Sequence, residues 1–385
     1  MPILDVVRSE LAALEQAGLL RRPRVIEGRG GTKVRIDGRP TLVFCSNDYL
    51  GLSADPRLVA AGHAALDAHG IGGGASRLVS GTRPAHLAAE RALAAWVELP
   101  AALLFSSGYA ANVGALSALL DRGDVAFSDR LNHASLIDGL RLSRATVHVY
   151  EHGDAEDLER RLRDHRAEGR RAWVVSDTVF SMDGDLAPLG RLRQLCDRYD
   201  AGLFLDEAHA LGVLGDGRGL AYDIGVRADA LVGTLGKSAG VAAAFVAGSS
   251  ELRTLLENRA RSYVFSTAVP PFVAAIIEQA VSLVREADEA RSRLSKHASA
   301  LRGALARQGW NVPRDGVTPI LPIRVGDPAR AMELSARLLE RGFFVQGIRP
   351  PTVPPGTSRL RLVPTAAHTH EQVVALLGAF AELAS

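Results

Sequence analysis

Lys237 stands in a glycine-bracketed turn, Thr234-Leu235-Gly236-Lys237-Ser238, between two apolar runs, 230–234 and 241–247, that read as buried strands. Lysine is scarce in this chain: of 45 basic residues only Lys33, Lys237 and Lys296 are lysines. Arginine keeps its proton in a protein, whereas a lysine among apolar neighbours gives it up and can add to a carbonyl carbon as a Schiff base. A nucleophilic amine is one reading of Lys237 and a solvated loop residue the other, so its companions decide.

Four other strand ends supply those companions. The string Leu203-Phe204-Leu205-Asp206-Glu207-Ala208-His209 ends an apolar strand on a carboxylate, which at the carboxyl edge of a sheet must meet a cationic group. Its D-E-A-H also occurs in helicase ATPases. Those need G-x-x-x-x-G-K-[ST], and here Gly236-Lys237-Ser238 supplies only the end, Leu231 stands where the first glycine belongs, and the two motifs come in reversed order, which argues against ATP hydrolysis. The string 104–112 reads as strand, then Ser106-Ser107-Gly108, then helix; such a helix start cradles phosphate, or its serines serve only as caps. Asn132-His133 opens another helix just past a strand, where the histidine caps the helix or lays a flat ring over an aromatic cofactor. Asp177 to Asp185 follows a further strand and offers the Ser181 hydroxyl, or is only an Asp-Gly turn. A phosphate cradle, an aspartate, a flat histidine and a lysine amine together match pyridoxal phosphate. Phosphate sits at a helix N-terminus, a carboxylate keeps the pyridine nitrogen protonated, and the amine holds the aldehyde.

Positioning these groups falls to an alternation of short apolar runs and helical stretches. The runs lie at 102–105, 124–127, 146–150, 172–176, 202–205, 230–234 and 241–247, with helical patterns at 109–120, 133–142, 155–167 and 189–199. The pattern predicts an α/β fold: a mostly parallel central sheet with helices on both faces and sites at the carboxyl ends of its strands. A large domain over 46–285 follows a lead-in of one amphipathic helix and two short strands (1–45), and a smaller C-terminal α+β domain takes 286–385. Residues 70–74 hold four glycines and must be loop.

Composition narrows the class. A chain of 385 residues that is 47% hydrophobic buries a large core, and a net charge of +2 without a basic stripe gives no footprint for nucleic acid. Cys45 and Cys196 make neither a disulfide framework nor a metal-ligand spacing, so no metal is expected. With no apolar stretch of signal-peptide or membrane-spanning length, a cytoplasmic setting and no membrane partner are expected.

The strings C-S-N-D-Y-L-G-L, S-S-G-Y-A-A-N, L-N-H-A-S-L-I-D-G, V-F-S-M-D-G-D, D-E-A-H, T-L-G-K-S and R-P-P-T-V-P together resemble the α-oxoamine synthase family of fold-type I pyridoxal phosphate enzymes, over essentially the whole chain. The resemblance implies an acyltransferase that condenses an amino acid with an acyl thioester and releases CO2. It implies Lys237 on the cofactor aldehyde, Asp206 on the pyridine nitrogen, His133 stacked on the ring, and His209 with Ser181 at the ring hydroxyl. Gly108, Tyr109 and Thr234 are expected around the phosphate, with Lys237, His133 and Asp206 catalytic. Arg21, Asn47, His133, Arg349 and Thr352 are the implied substrate contacts, in a homodimer with sites at the interface. Residues 347–354 most resemble the branch that uses L-alanine and a pimeloyl thioester, on CoA or a carrier protein. Relatives that acylate glycine or serine are the alternatives.

Overall fold

The structure, a computed structural model, describes residues 3–384. The chain divides into two compact units: Asn47–Ser295, and a second that joins the chain up to Ser46 with the chain from Lys296 onward. Among the described residues no helix is long and apolar enough to cross a membrane.

Among the described residues of the larger unit, seven strands form one sheet: β1 (Ala101–Phe105), β2 (Val125–Asp129), β3 (Thr146–Tyr150), β4 (Ala172–Asp177), β5 (Gly202–Asp206), β6 (Ala230–Thr234) and β7 (Ala244–Gly248). Their order is β1-β7-β6-β5-β4-β2-β3. Strand β7 runs antiparallel to both neighbours, and the other pairs are parallel. Strands β2 and β7 are buried at every position, as a sheet covered on both faces requires. The strand expected over 241–247 starts later because 241–243 closes the lysine turn: Leu235 N donates to Ala243 O and Val241 N to Leu235 O.

The helices Gly108–Leu119 and Ala134–Ser143 pack on this sheet. Ala111, Ala115, Leu116, Leu136 and Leu140 join Phe105, Val175, Phe204 and Val232 in one buried cluster, where each large side chain contributes roughly 1.5–3 kcal/mol. The two helices approach closely at Gly139. A Cβ there would lie 3.0 Å from both Asn112 O and Leu116 Cδ1, so the absence of a side chain sets their separation. The helix Pro84–Trp96 belongs to the same unit and carries no strong sequence signal of its own.

In the second unit, Ile26–Glu27, Lys33–Ile36, Arg39–Val43 and Phe343–Phe344 form one sheet, and Leu321–Gly326, Ser358–Leu362 and Gln346–Ile348 another. Phe343 and Phe344 pair in parallel with Leu42 and Val43, and Cys45 bridges Val363, so the N-terminal strands fold with the C-terminal ones. Residues 343–348 are therefore shared between two sheets. The first helix, Ile3–Gln16, ends where Gly18 turns to φ 65° and the Leu19 and Leu20 amides return to Leu14 O.

Candidate active site

In the larger unit the candidate groups stand at the carboxyl ends of strands. Asp206 closes β5, is only 4% exposed, and lies directly across the ladder from Asp177, the last residue of β4. Its Oδ2 accepts from Asn112 Nδ2 at 2.6 Å and its Oδ1 from Ala208 N at 2.9 Å. Asn112, 1% exposed, donates also to Ser135 Oγ at 2.8 Å, while its own Oδ1 is buried without a hydrogen-bond partner. Burial, and then the charge of Asp206, hold the Asp177 carboxyl well above the usual carboxylate range. Asp177 accepts the His133 amide at 2.7 Å and so fixes the start of the helix behind it.

His133 caps that helix: Ser135 N donates to its Nδ1 at 3.3 Å, and Nδ1 lies 2.7 Å from Ser135 Oγ. Desolvation lowers its pKa, Asp206 opposes that shift and Lys237 adds to it, so the ring is neutral near pH 7. Lys237 Nζ is 2.8 Å from His209 Nε2, and His209 Nδ1 is 2.6 Å from the Tyr49 hydroxyl. The Tyr49 hydroxyl also lies 3.5 Å from Asn47 Oδ1. An amine, an imidazole and a phenol therefore form one hydrogen-bonded chain.

At the end of β1, Ser107 caps the helix Gly108–Leu119 by accepting from Ala110 N at 3.2 Å. A Cβ on either Gly108 or Gly236 would come to 3.8 Å from Thr234 Oγ1. The two glycines and the threonine thus share one spot at a helix N-terminus, open to an anion. The Tyr109 hydroxyl is engaged with Asp138, which leaves Tyr109 its main-chain N–H to offer an anion. Ser181 lies in a hairpin loop whose base is the Val179–Leu186 bridge.

Arg21, Arg349 and Thr352 gather in the second unit. They line a cleft of about 1190 Å³ together with Arg22, Arg24 and Gln346. Arg21 donates to Thr352 Oγ1 at 2.9 Å and Arg349 to Leu20 O at 3.1 Å, while the buried Arg349 Nε has no hydrogen-bond partner. Gly347 lets this strand lie against the helix Pro328–Glu340, since a Cβ would come to 2.9 Å from Met332 Sδ.

Sequence reading did not single out Asn112, Tyr49 or Glu207. Asn112 follows Gly108 by four residues on one helix face, the one signal that tied it to the cradle. Glu207 is fully buried, accepts from Leu220 N, Ala221 N and Thr178 Oγ1, and is pushed up to about 7 by burial. Elsewhere His148, His165 and Glu168 form a surface cluster, but its two stacked imidazoles already share the one carboxylate.

The donor set fits pyridoxal phosphate. The buried Asp206 carboxylate at the end of β5 suits a protonated ring nitrogen, the glycine-lined helix start suits a phosphate, and the amine of Lys237 suits an aldehyde. A mostly parallel sheet carrying these groups at its carboxyl edge is the scaffold of a fold-type I pyridoxal phosphate enzyme. The chain belongs to the aminotransferase class I and II family, whose model matches residues 39–380. It is 50% identical, over 98% of its own length and 95% of the relative's, to an 8-amino-7-oxononanoate synthase of Anaeromyxobacter dehalogenans (strain 2CP-1 / ATCC BAA-258). Among solved structures it resembles a serine palmitoyltransferase from S. paucimobilis with bound PLP–myriocin aldimine, at TM-score 0.93 and 32% identity, covering 98% of this chain and 96% of that one. It also resembles the 8-amino-7-oxononanoate synthase of Francisella tularensis, at TM-score 0.77 and 26% identity, covering 89% of this chain and 97% of that one.

Proposed function

We propose that this chain catalyses the pyridoxal phosphate-dependent condensation of L-alanine with a pimeloyl thioester, on CoA or a carrier protein, to give 8-amino-7-oxononanoate, free thiol and CO2 in biotin biosynthesis. The observation that carries the reading is the 50% identity to an 8-amino-7-oxononanoate synthase over nearly the full length of both chains. The serine palmitoyltransferase likeness is close in backbone but rests on 32% identity. It makes L-serine with a long-chain acyl thioester the second reading.

When bound, pyridoxal phosphate supplies an aldehyde and a protonated ring that draws electron density from the substrate α-carbon. Lys237 would hold the aldehyde, and its Nζ would be the group that takes and returns the proton of the substrate α-carbon. His209 Nε2, 2.8 Å away, orients that amine. Asp206, fixed by Asn112 and Ala208, retains the proton on the ring nitrogen. The ring of His133 would lie against the cofactor ring, and His209 and Ser181 would serve its hydroxyl. Thr234 with the Gly108 and Tyr109 amides takes the phosphate. Arg349 would form a fork with the alanine carboxylate, with Arg21 the acyl-substrate contact and Asn47 and Thr352 further substrate contacts. The reading includes a homodimer with sites at the interface and a cytoplasmic location, in keeping with the two free thiols, Cys45 and Cys196.

The test is a matrix of amino acids against acyl thioesters scored by thiol release, with Lys237→Ala as the control that loses both turnover and visible absorbance. L-Alanine with pimeloyl-CoA is expected to lead. Preference for L-serine with palmitoyl-CoA, or glycine with acetyl-CoA, would reject the substrate assignment.

A further inference from the structure

The residue that ties down the Ser181 loop lies outside every motif used so far. His152 follows the edge strand β3, in a turn held by Asp154 N to Glu151 O at 3.0 Å and by Glu151 N to Asp157 Oδ2 at 2.8 Å. Its ring spans two carboxylates. Nδ1 is 3.0 Å from Asp129 Oδ1 and Nε2 is 2.7 Å from Asp185 Oδ2. Asp129 ends β2, is buried, and also accepts from Leu131 N and Gly153 N, so its position is set by main chain. Asp185 belongs to the loop: Phe180 N donates to Asp185 O at 3.1 Å and Gly184 N to Phe180 O at 2.8 Å. The Phe180 ring stands edge-on to His152, with centroids 4.3 Å apart.

We propose that His152 is a positioning residue, an ionic clamp that joins the loop at Asp185 to the sheet at Asp129 and so fixes Ser181 for the cofactor. The proposal rests on the functional reading above only for the last step. An imidazole between two carboxylates carries both of its protons. Burial opposes that charge, but the hydrogen bonds to Asp129 and then Asp185 push its pKa up to about 10. The clamp is therefore charged throughout the neutral range, and a neutral imidazole, with its single N–H, cannot donate to both oxygens at once.

Amide exchange across 178–187 in the full chain, with and without pyridoxal phosphate, tests it. His152→Gln and Asp185→Asn are each expected to speed exchange at the Phe180 and Gly184 amides about tenfold, the size of one charge-assisted hydrogen bond. The double variant should add little, since both changes remove the same contact. Asp185 is half-exposed, so its variant is the one least exposed to misfolding. Both single variants should also weaken pyridoxal phosphate binding about tenfold and shift the visible band of the bound cofactor, which loss of global stability alone does not do. Unchanged exchange in both would overturn the clamp. Faster exchange with unchanged cofactor affinity and band would overturn its role toward Ser181. A wild-type chain that binds no pyridoxal phosphate would instead reject the functional reading, and the exchange rates would still decide the clamp.

Discussion

Asp206 is held for its task by Asn112, whose amide reaches both Asp206 Oδ2 and Ser135 Oγ. Asn112→Ala leaves a buried carboxylate oxygen without its donor, at a cost of about 1.5–3 kcal/mol for a hydrogen bond to a charged group. Pyridoxal phosphate affinity should fall at least about tenfold, measured by titrating the chain and following visible absorbance; an unchanged dissociation constant would sink the role given to Asn112. At this scale the sequence was informative where a residue's chemistry announces itself. A rare lysine in a glycine turn and an aspartate ending an apolar strand both stand out. Asn112 and Asp177 do not, because their meaning comes from register and packing. Only the β4–β5 pairing sets Asp177 opposite Asp206, and only the folded helix turns Asn112 toward Asp206.

The helices Gly108–Leu119 and Ala134–Ser143 carry four of the site's groups, Gly108, Tyr109, Asn112 and the cap His133, and their spacing is fixed at Gly139. Gly139→Ala would drive a methyl group against Asn112 O and Leu116 Cδ1, both 3.0 Å from the new Cβ. Overpacking of this kind costs about 1–3 kcal/mol. Urea unfolding should show that loss, together with weaker pyridoxal phosphate binding; a stable variant with full affinity would mean that helix spacing does not set the site. Element type was readable from the chain. The strands Thr146–Tyr150 and Ala230–Thr234 match their expected spans. Direction was less so, because apolar runs look alike whichever way they point and β7 is reversed. The helix Pro84–Trp96 escaped notice because alanines on several faces blur its period.

For the whole molecule, the linear order hides that the chain up to Ser46 folds with the chain from Lys296 onward; that grouping depends on pairings hundreds of residues apart, such as Leu42 with Phe343. Composition pointed to a large core, and the core is there, but large apolar side chains also remain outside it. Val79 is 80% exposed and Phe265 71%, on neighbouring segments of the larger unit joined by the Ser76–Thr267 bridge. Exposed apolar side chains on adjoining segments fit a surface that a second copy covers, and the proposed homodimer offers that copy. A self-complementary interface presents each residue twice, so one substitution introduces two charges. Val79→Glu should therefore weaken dimerisation by at least about 100-fold, given the cost of burying unpaired carboxylates. Sedimentation velocity across a concentration series would read this directly, as a shift from twice the chain mass to the single-chain mass. Activity should fall in step with the dimer fraction if sites lie at the interface. A variant that stays dimeric at wild-type concentrations would remove this patch from the interface, and a fully active monomer would remove the interface from the site.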